Sequence, residues 1–198
     1  IFHTSQQPLQ PRSYFYVLAN RHYVTPELKK AALDIATRYQ DIHPELRLTY
    51  LDANFPFLDG FPLLPHLSHD DGRKLDLSLV WRDARANHPT TRIPSLLGYG
   101  RAAAPEAGEE DMPAACARQG YWQYSLLTKI LVNKKPGSYL LDEAATRDLL
   151  LEICRSQEVE KVFLEPHLKA RLKLGGEGKI RFHGCHAVRH DDHIHLEI

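Results

Sequence analysis

The chain has 198 residues, of which 43% are hydrophobic, and its 25 Lys and Arg residues balance 25 Asp and Glu residues. A chain of this length suits one domain with its own core. The zero net charge argues against nucleic acid and anionic membranes as partners, since both attract a basic excess. No apolar run approaches the roughly 18 residues that a membrane helix needs, so we expect no transmembrane segment. The chain begins with Ile1 rather than Met, which suggests that the natural N-terminus has been removed.

The first quarter of the chain predicts a strand, a helix and a second strand. Residues 13–18 (SYFYVL) are aromatic and apolar, as in a strand. Thr25, Pro26 and Glu27 then combine a capping hydroxyl, a proline suited to the first helical position and an acid near the positive end of the helix dipole. Apolar residues at helical spacing continue this helix for several turns, and residues 46–51 alternate like a strand.

Residues 54–118 contain a loop, a strand and a long irregular stretch. Proline and glycine interrupt residues 54–68, which predicts a loop. In residues 75–81 (LDLSLVW) the large apolar side chains share one face of a strand, and Asp76 lies on the other. Residues 83–118 are rich in Ala, Pro, Gly and charge and have little periodicity. We interpret them as a long loop excursion on the surface that flanks the active site, because loops of this length are usually functional or mobile.

The last third of the chain alternates between helices and strands without a regular βαβ order. Helices are expected at residues 120–132, at 142–154 with Asp142 as the cap, and from Pro166 to about residue 174. Strands are expected at residues 161–164, 179–182 and 193–198. We therefore expect an α+β fold, with a single domain over residues 1–198 and a mainly antiparallel central sheet flanked by helices.

The three cysteines leave two alternatives open. Cys116, Cys154 and Cys185 are too few for a disulfide scaffold and have no CxxC spacing. One disulfide plus a free thiol is possible in an oxidising compartment. Three ordinary, partly buried cysteines are an equally good interpretation.

Histidines are concentrated near residue 198: five of the chain's 12 fall in the last 16 residues. In the strand HIHLEI, His193 and His195 share one face, and the apolar side chains share the other. Asp76 lies on the polar face of its own strand, and His69 lies in the loop before it. If the two strands are neighbours, His69, Asp76 and His195 converge. Two imidazoles and a carboxylate suit Zn²⁺ with its fourth position left to water.

Spacing alone is weak support for this site. By chance, a chain with 12 histidines in 198 residues contains about 0.7 His-x-His pairs. The alternative is that His69 and Asp76 are a loop histidine and a strand-edge carboxylate, and that His193 and His195 are exposed strand residues. The zinc hypothesis is favoured because both halves of the pattern occur together and in strands whose polar faces fit it.

The two motifs resemble those of a known group of enzymes. Ser68-His69, Gly72 and Asp76, with Asp192-His193-Ile194-His195, resemble the HxxxxxxD and HxH motifs of the LAS metallopeptidases. These are zinc folds of the lysostaphin, D-Ala-D-Ala peptidase and hedgehog types. Within the group, the chain is most similar to the penicillin-insensitive murein endopeptidases, which have further histidines where this chain has His66 and His190. The resemblance covers mainly residues 66–81 and 181–197.

The resemblance implies a set of roles. His69, Asp76 and His195 would bind Zn²⁺, while His66, His190 and Ser68 would act in the second shell or on the substrate side. The general base would be His193 or, as the alternative, Asp192. In an unbent strand Asp192 would lie on the opposite face from His193, which favours His193.

The implied substrate is a peptidoglycan peptide, and the implied reaction is cleavage of a crosslink by a murein DD-endopeptidase. A D-Ala-D-Ala-type carboxypeptidase is an alternative, and would need a cation for the terminal carboxylate, for which Arg73, Arg181 and Arg189 are available. A zinc-containing cell-wall binding module without catalysis is a further alternative. The substrate implies a periplasmic or cell-envelope location.

Overall fold

The computed structural model describes residues 7–55, 69–92, 98–121 and 139–198. The helices are α1 (Tyr14–Leu18), α2 (Pro26–Ile42), α3 (Met112–Arg118), α4 (Glu143–Arg155) and α5 (Pro166–Arg171). The strands are β1 (Leu9–Pro11), β2 (Leu48–Tyr50), β3 (Lys74–Ser78), β4 (Trp81–Asp83), β5 (His88–Thr90), β6 (Tyr139–Leu141), β7 (Lys161–Phe163), β8 (Ile180–Arg181) and β9 (His193–Glu197). Within these ranges, no helix has the length and apolar character needed to cross a membrane.

The largest element is a six-stranded sheet with the strand order β1-β2-β3-β9-β7-β8. Its three inner pairings are antiparallel, and the two edge pairings, β1 with β2 and β7 with β8, are parallel. A second, antiparallel sheet has the order β5-β4-β6. The prediction of a mixed α+β fold with a mainly antiparallel central sheet is therefore confirmed.

Two capped helices cover one face of the large sheet. The Thr25 hydroxyl accepts the Leu28 N–H at the start of α2, and the Asp142 carboxylate accepts the Ala145 N–H at the start of α4, as the sequence predicts. The Tyr39 hydroxyl of α2 donates to the Ala145 carbonyl at 3.1 Å and so connects the two helices. Their apolar side chains share a core with those of β3 and β9: Leu28, Ile35, Leu149, Ile153, Leu75, Leu77, Ile194 and Leu196. The polar side chains of β3 and β9 consequently lie on the opposite face of the sheet.

Two predicted strands differ from the structure. Of residues 13–18, expected to be a strand, Tyr14–Leu18 form helix α1, in which Tyr16 is buried while Tyr14 and Leu18 are 78% and 82% exposed. A short apolar run fits either structure, and here its burial pattern is that of one helical turn on the surface. The strand expected over residues 75–81 is divided, because β3 ends at Ser78 and β4 begins at Trp81 in the other sheet.

The stretch 83–118, expected to be a loop, contains β5 and α3. Their brevity explains why they leave no periodic pattern in the sequence. Strands β1 and β6 are also too short to have been predicted. The expected helix over residues 120–132 lies almost entirely outside the described residues, as does most of the expected loop at 54–68.

A disulfide joins Cys116 of α3 to Cys185, in the segment that leads into β9. Cys154 is a free thiol. Of the two alternatives for the cysteines, the structure therefore supports one disulfide plus one thiol. Burial raises the pKa of the Cys154 thiol to about 11, so it is protonated at neutral pH.

Candidate metal centre

The β3–β9 pairing brings the two sequence motifs together. The strands pair antiparallel over five residue pairs, and in this register Asp76 lies opposite His195 and Ser78 opposite His193. Directly opposed side chains on the same face of a sheet are close neighbours. His69 precedes β3 and is fixed from behind by a hydrogen bond from its Nδ1 to the Ala53 carbonyl at 3.0 Å. The convergence of His69, Asp76 and His195 that the sequence predicts is therefore present.

Three side-chain atoms form a nearly equilateral triangle. His69 Nε2 lies 3.2 Å from Asp76 Oδ1 and 3.2 Å from His195 Nδ1. His195 Nδ1 lies 2.9 Å from Asp76 Oδ1. All three residues are buried, with at most 2% of each exposed. Among the described residues, this cluster can hold a metal ion.

The triangle fits the dimensions of a zinc site. With bonds of about 2.0–2.1 Å to nitrogen or oxygen, neighbouring ligands in a tetrahedral zinc site lie about 3.3 Å apart. The three distances of 2.9–3.2 Å are close to this value. Two imidazoles and one carboxylate are also a donor set that zinc accepts in catalytic sites, where a fourth position is left for water.

The outer nitrogens of both histidines support the same interpretation. A carbonyl oxygen only accepts, so the hydrogen bond to Ala53 places the His69 proton on Nδ1 and leaves the lone pair of Nε2 directed into the triangle. His195 Nε2 lies 3.4 Å from Glu197 Oε1, which likewise leaves Nδ1 for the triangle. Histidines that bind metals usually give their other N–H to a carbonyl or a carboxylate in this way.

The charges around His195 stabilise a cation. Burial alone would lower the pKa of His195, but its hydrogen bonds to Asp76 and Glu197 outweigh burial and raise that pKa above its usual value. The hydrogen bond from His195, assisted by Lys161, lowers the pKa of Glu197 to about 2. The position between these carboxylates thus favours a positive charge, whether a proton or a metal ion.

His193 and Asp192 form a pair at the edge of the triangle. His193 Nδ1 lies 2.6 Å from Asp192 Oδ1, and His193 Nε2 lies 3.8 Å from Asp76 Oδ2. Asp192 Oδ2 accepts the Gly100 N–H at 2.6 Å. Because β9 begins at His193, Asp192 lies in the bend before the strand and beside its neighbour, rather than on the opposite face. His193 therefore has Nδ1 on the Asp192 carboxylate and Nε2 near the outer oxygen of Asp76.

His190 lies behind this pair. Its ring centre is 5.0 Å from that of His193 and 5.7 Å from that of His195. Burial, together with the neighbouring imidazoles of His193, His195 and His183, keeps the pKa of His190 well below its usual value, so it is neutral at neutral pH. Its main-chain N–H donates to Glu165 Oε1 at 3.1 Å. Its partners suit a supporting role; His66 and Ser68 lie outside the described residues.

The arginines considered for a terminal carboxylate differ in their surroundings. Arg189 forms an ion pair with the buried Asp191. Arg73 and Arg181 are exposed. The Arg189 guanidinium is thus engaged within the segment that leads into β9.

Sequence reasoning missed two residues that contact the site. The Tyr99 hydroxyl donates to Asp76 Oδ2 at 2.6 Å, and the Gly100 N–H donates to Asp192. The available signal was a pair of glycines around an aromatic residue: Gly98 and Gly100 both have positive φ, of 86° and 88°. Such a pair predicts a sharp turn, but nothing in the sequence indicates which strand it contacts.

The comparisons with known proteins identify no family. No family model matches the chain, and no curated protein matches it significantly. The function is therefore inferred from the geometry of the site and from the resemblance of its motifs.

Proposed function

We propose that the chain is a zinc-dependent peptidase of the LAS type that hydrolyses an amide bond in peptidoglycan peptides, cleaving crosslinks as a murein DD-endopeptidase. The observation that carries the proposal is the buried triangle of His69, Asp76 and His195 beside an imidazole–carboxylate pair. The Cys116–Cys185 disulfide supports a periplasmic or cell-envelope location, because disulfides persist in oxidising compartments.

The side chains divide the chemistry between them. His69, Asp76 and His195 would hold the zinc ion, which would supply a water with its pKa lowered to about 7 and would polarise the scissile carbonyl. His193 accepts the proton of the attacking water at Nε2 and later gives it to the leaving amine. Asp192 holds the other nitrogen of His193, which fixes the tautomer and stabilises the imidazolium.

The contacts of Asp192 favour His193 as the general base. Both carboxylate oxygens of Asp192 have partners, Oδ1 with His193 and Oδ2 with the Gly100 N–H. A base must reach the proton it removes, and His193 Nε2 is not used by Asp192 and lies 3.8 Å from Oδ2 of the candidate ligand Asp76. In this proposal Asp192 therefore orients His193, and His193 acts as the general base.

The burial of the three candidate ligands supports a second candidate function, in which a zinc ion has a structural role only. The three ligands are almost completely covered, with exposures of 0–2%, as is common for structural zinc sites. The second candidate is therefore a cell-wall binding module in which zinc only stabilises the fold. For the carboxypeptidase alternative, Arg189 is already paired with Asp191, which leaves the exposed Arg73 and Arg181 as the cations for a terminal carboxylate.

Metal content and peptide cleavage, measured on the same preparations, test the proposal. Zinc is quantified by mass spectrometry, and cleavage of purified crosslinked muropeptides is followed by chromatography. We expect about one equivalent of zinc and cleavage for the wild type, and neither for His195→Ala. His193→Ala should keep zinc while its rate falls by about 10²–10⁴-fold.

His43→Ala is the matched control, since His43 contacts Asp148 outside the triangle; it should match the wild type. One equivalent of zinc without cleavage of any muropeptide would leave the binding module. A wild type without stoichiometric metal would contradict both candidates.

A further inference from the structure

The stretch Gly98-Tyr99-Gly100 contacts both carboxylates of the site. The Tyr99 hydroxyl donates to Asp76 Oδ2, and the main-chain N–H of Gly100 donates to Asp192 Oδ2, each at 2.6 Å. Tyr99 is itself only 7% exposed and packs in a small core with Tyr16 and Leu51. One short stretch thus positions a candidate metal ligand and the carboxylate that orients the candidate base.

The backbone at this point is held in a conformation that few residues adopt. Gly98 has a φ of 86°, and a Cβ added there would lie 2.4 Å from Leu51 Cδ2 and 3.0 Å from Arg12 Cγ. Only glycine allows both this close approach and this φ without strain. The main chain beside Tyr99 is therefore closely held, and the Tyr99 ring packs with Tyr16 and Leu51 while its hydroxyl contacts Asp76.

The two carboxylate oxygens of Asp76 contact different groups. Oδ1 lies 3.2 Å from His69 Nε2 and 2.9 Å from His195 Nδ1, and so belongs to the triangle. Oδ2 accepts the Tyr99 hydroxyl. A carboxylate that binds a metal through both oxygens must turn both of them towards the ion, and the hydrogen bond from Tyr99 holds Oδ2 in another direction.

We infer that Tyr99 is a positioning residue that keeps Asp76 as a ligand through one oxygen, and thereby sets the affinity and the coordination number of the metal. This inference rests on the metal centre of the proposed function but not on peptide hydrolysis. A single oxygen from Asp76 leaves a position of the ion open for water or substrate, which is the arrangement that distinguishes catalytic zinc sites.

The test compares Tyr99→Phe with the wild type by metal binding alone. Zn²⁺ affinity is measured by competition with a chromophoric chelator, and Co²⁺ is used as a spectroscopic substitute. The loss of an outer hydrogen bond typically lowers metal affinity by about 10–100-fold, and we expect a loss in this range. If Asp76 then turns to bind through both oxygens, coordination rises from four to five, and the visible absorption of the Co²⁺ protein weakens.

Tyr39→Phe is the matched control. It also removes a buried hydroxyl, which donates to the Ala145 carbonyl at 3.1 Å between two helices. It should reduce the unfolding temperature without changing the Zn²⁺ affinity or the Co²⁺ spectrum. Near-ultraviolet circular dichroism establishes that both variants are folded.

Three outcomes would overturn the inference. Tyr99→Phe with wild-type affinity and spectrum would show that the hydroxyl does not position Asp76. A crystal structure of the metal-loaded wild type in which both oxygens of Asp76 bind the ion would contradict binding through one oxygen, and this measurement needs no variant. A wild type that binds neither ion would remove the metal centre itself. Failure to cleave muropeptides, by contrast, bears on the proposed function and leaves the inference standing.

Discussion

The candidate site has two halves that are built by different means. The first half, Asp76 and His195, lies on two central strands held by a ladder of five residue pairs. The second half, Tyr99, Gly100 and Asp192, lies on irregular segments, held by hydrogen bonds to side chains. The candidate metal ligands thus belong largely to the rigid sheet, while the groups that orient them come from loops. Under the proposed function, we expect changes in the strand half to abolish metal binding, and changes in the loop half to act indirectly, on metal affinity through Tyr99 and on the cleavage rate through Asp192.

The largest effect is expected in the strand half. Asp76→Asn removes the charge of a ligand, so Zn²⁺ affinity should fall by more than the roughly 100-fold limit for outer partners, and cleavage should be lost with it. Ser78→Ala is the control, because Ser78 lies on the same face of β3 two residues from Asp76. Its hydroxyl donates to the Leu79 carbonyl and not to the triangle. Zinc retention in both variants is measured by dialysis followed by metal analysis. Equal zinc retention in Asp76→Asn and Ser78→Ala would contradict the ligand assignment.

The second-largest effect is expected in the loop half. Asp192→Asn should leave Zn²⁺ affinity nearly unchanged but reduce the cleavage rate by about 10²–10⁴-fold, because His193 loses the carboxylate that orients it. Asp70→Asn, a carboxylate paired with Lys74 on the surface, should have no effect on either property. Steady-state kinetics on one muropeptide provide the measurement. If Asp192→Asn loses the metal as well, Asp192 supports the metal ligands and not His193 alone.

Removal of the disulfide is expected to lower stability but to have only a small effect on the cleavage rate. Replacing Cys116 and Cys185 by Ser releases a crosslink with a sequence separation of 69, which the chain-entropy model equates to about 4 kcal/mol of unfolding free energy. Because β9 still pairs with β3, we expect the folded variant to keep its zinc and to lose less than about tenfold in rate. Urea unfolding and kinetics test this, with Cys154→Ser as the control. A complete loss of zinc would show that the crosslink also holds the ligands.

The smallest effect concerns stability at low pH. The hydrogen bond from Arg171 lowers the pKa of Glu109 to about 2 from 4.5. A lowered pKa in the folded state adds stability above pH 4.5 and loses it as the pH falls towards 2. Glu109→Gln should therefore lose about 1 kcal/mol at neutral pH, and the difference from the wild type should shrink between pH 4.5 and 2. Thermal unfolding over this pH range measures it; a constant difference would contradict the assignment.

The strand half was predictable because alternation places side chains on defined faces. The patterns around Asp76 and His195 predict both strands and their polar faces, and the register then requires only that the strands be neighbours. The helix caps at Thr25 and Asp142 were predictable for a similar reason, since a cap depends on residues three positions away.

The loop half was not predictable, because its contacts join distant residues without a periodic signal. Tyr99 and Asp76 are 23 positions apart, and Gly100 and Asp192 are 92 apart. The prediction of a strand at helix α1 was wrong for a different reason: five residues are too few to distinguish a helical from an extended pattern. The bend before β9 was not predictable either: an unbent strand places Asp192 on the opposite face from His193, whereas the bend brings the two side chains into contact.

Strand β9 comes last in the chain among the described strands, yet it lies in the middle of the large sheet. On a ribosome, β1, β2 and β3 are therefore made well before the strand that joins them to β7 and β8. Asp76 and His195 are 119 positions apart, so the candidate site cannot assemble until nearly all of these residues have emerged. Contacts over such separations form slowly. Any metal that these residues hold would thus be captured only in the final step of folding, after β9 has paired with β3.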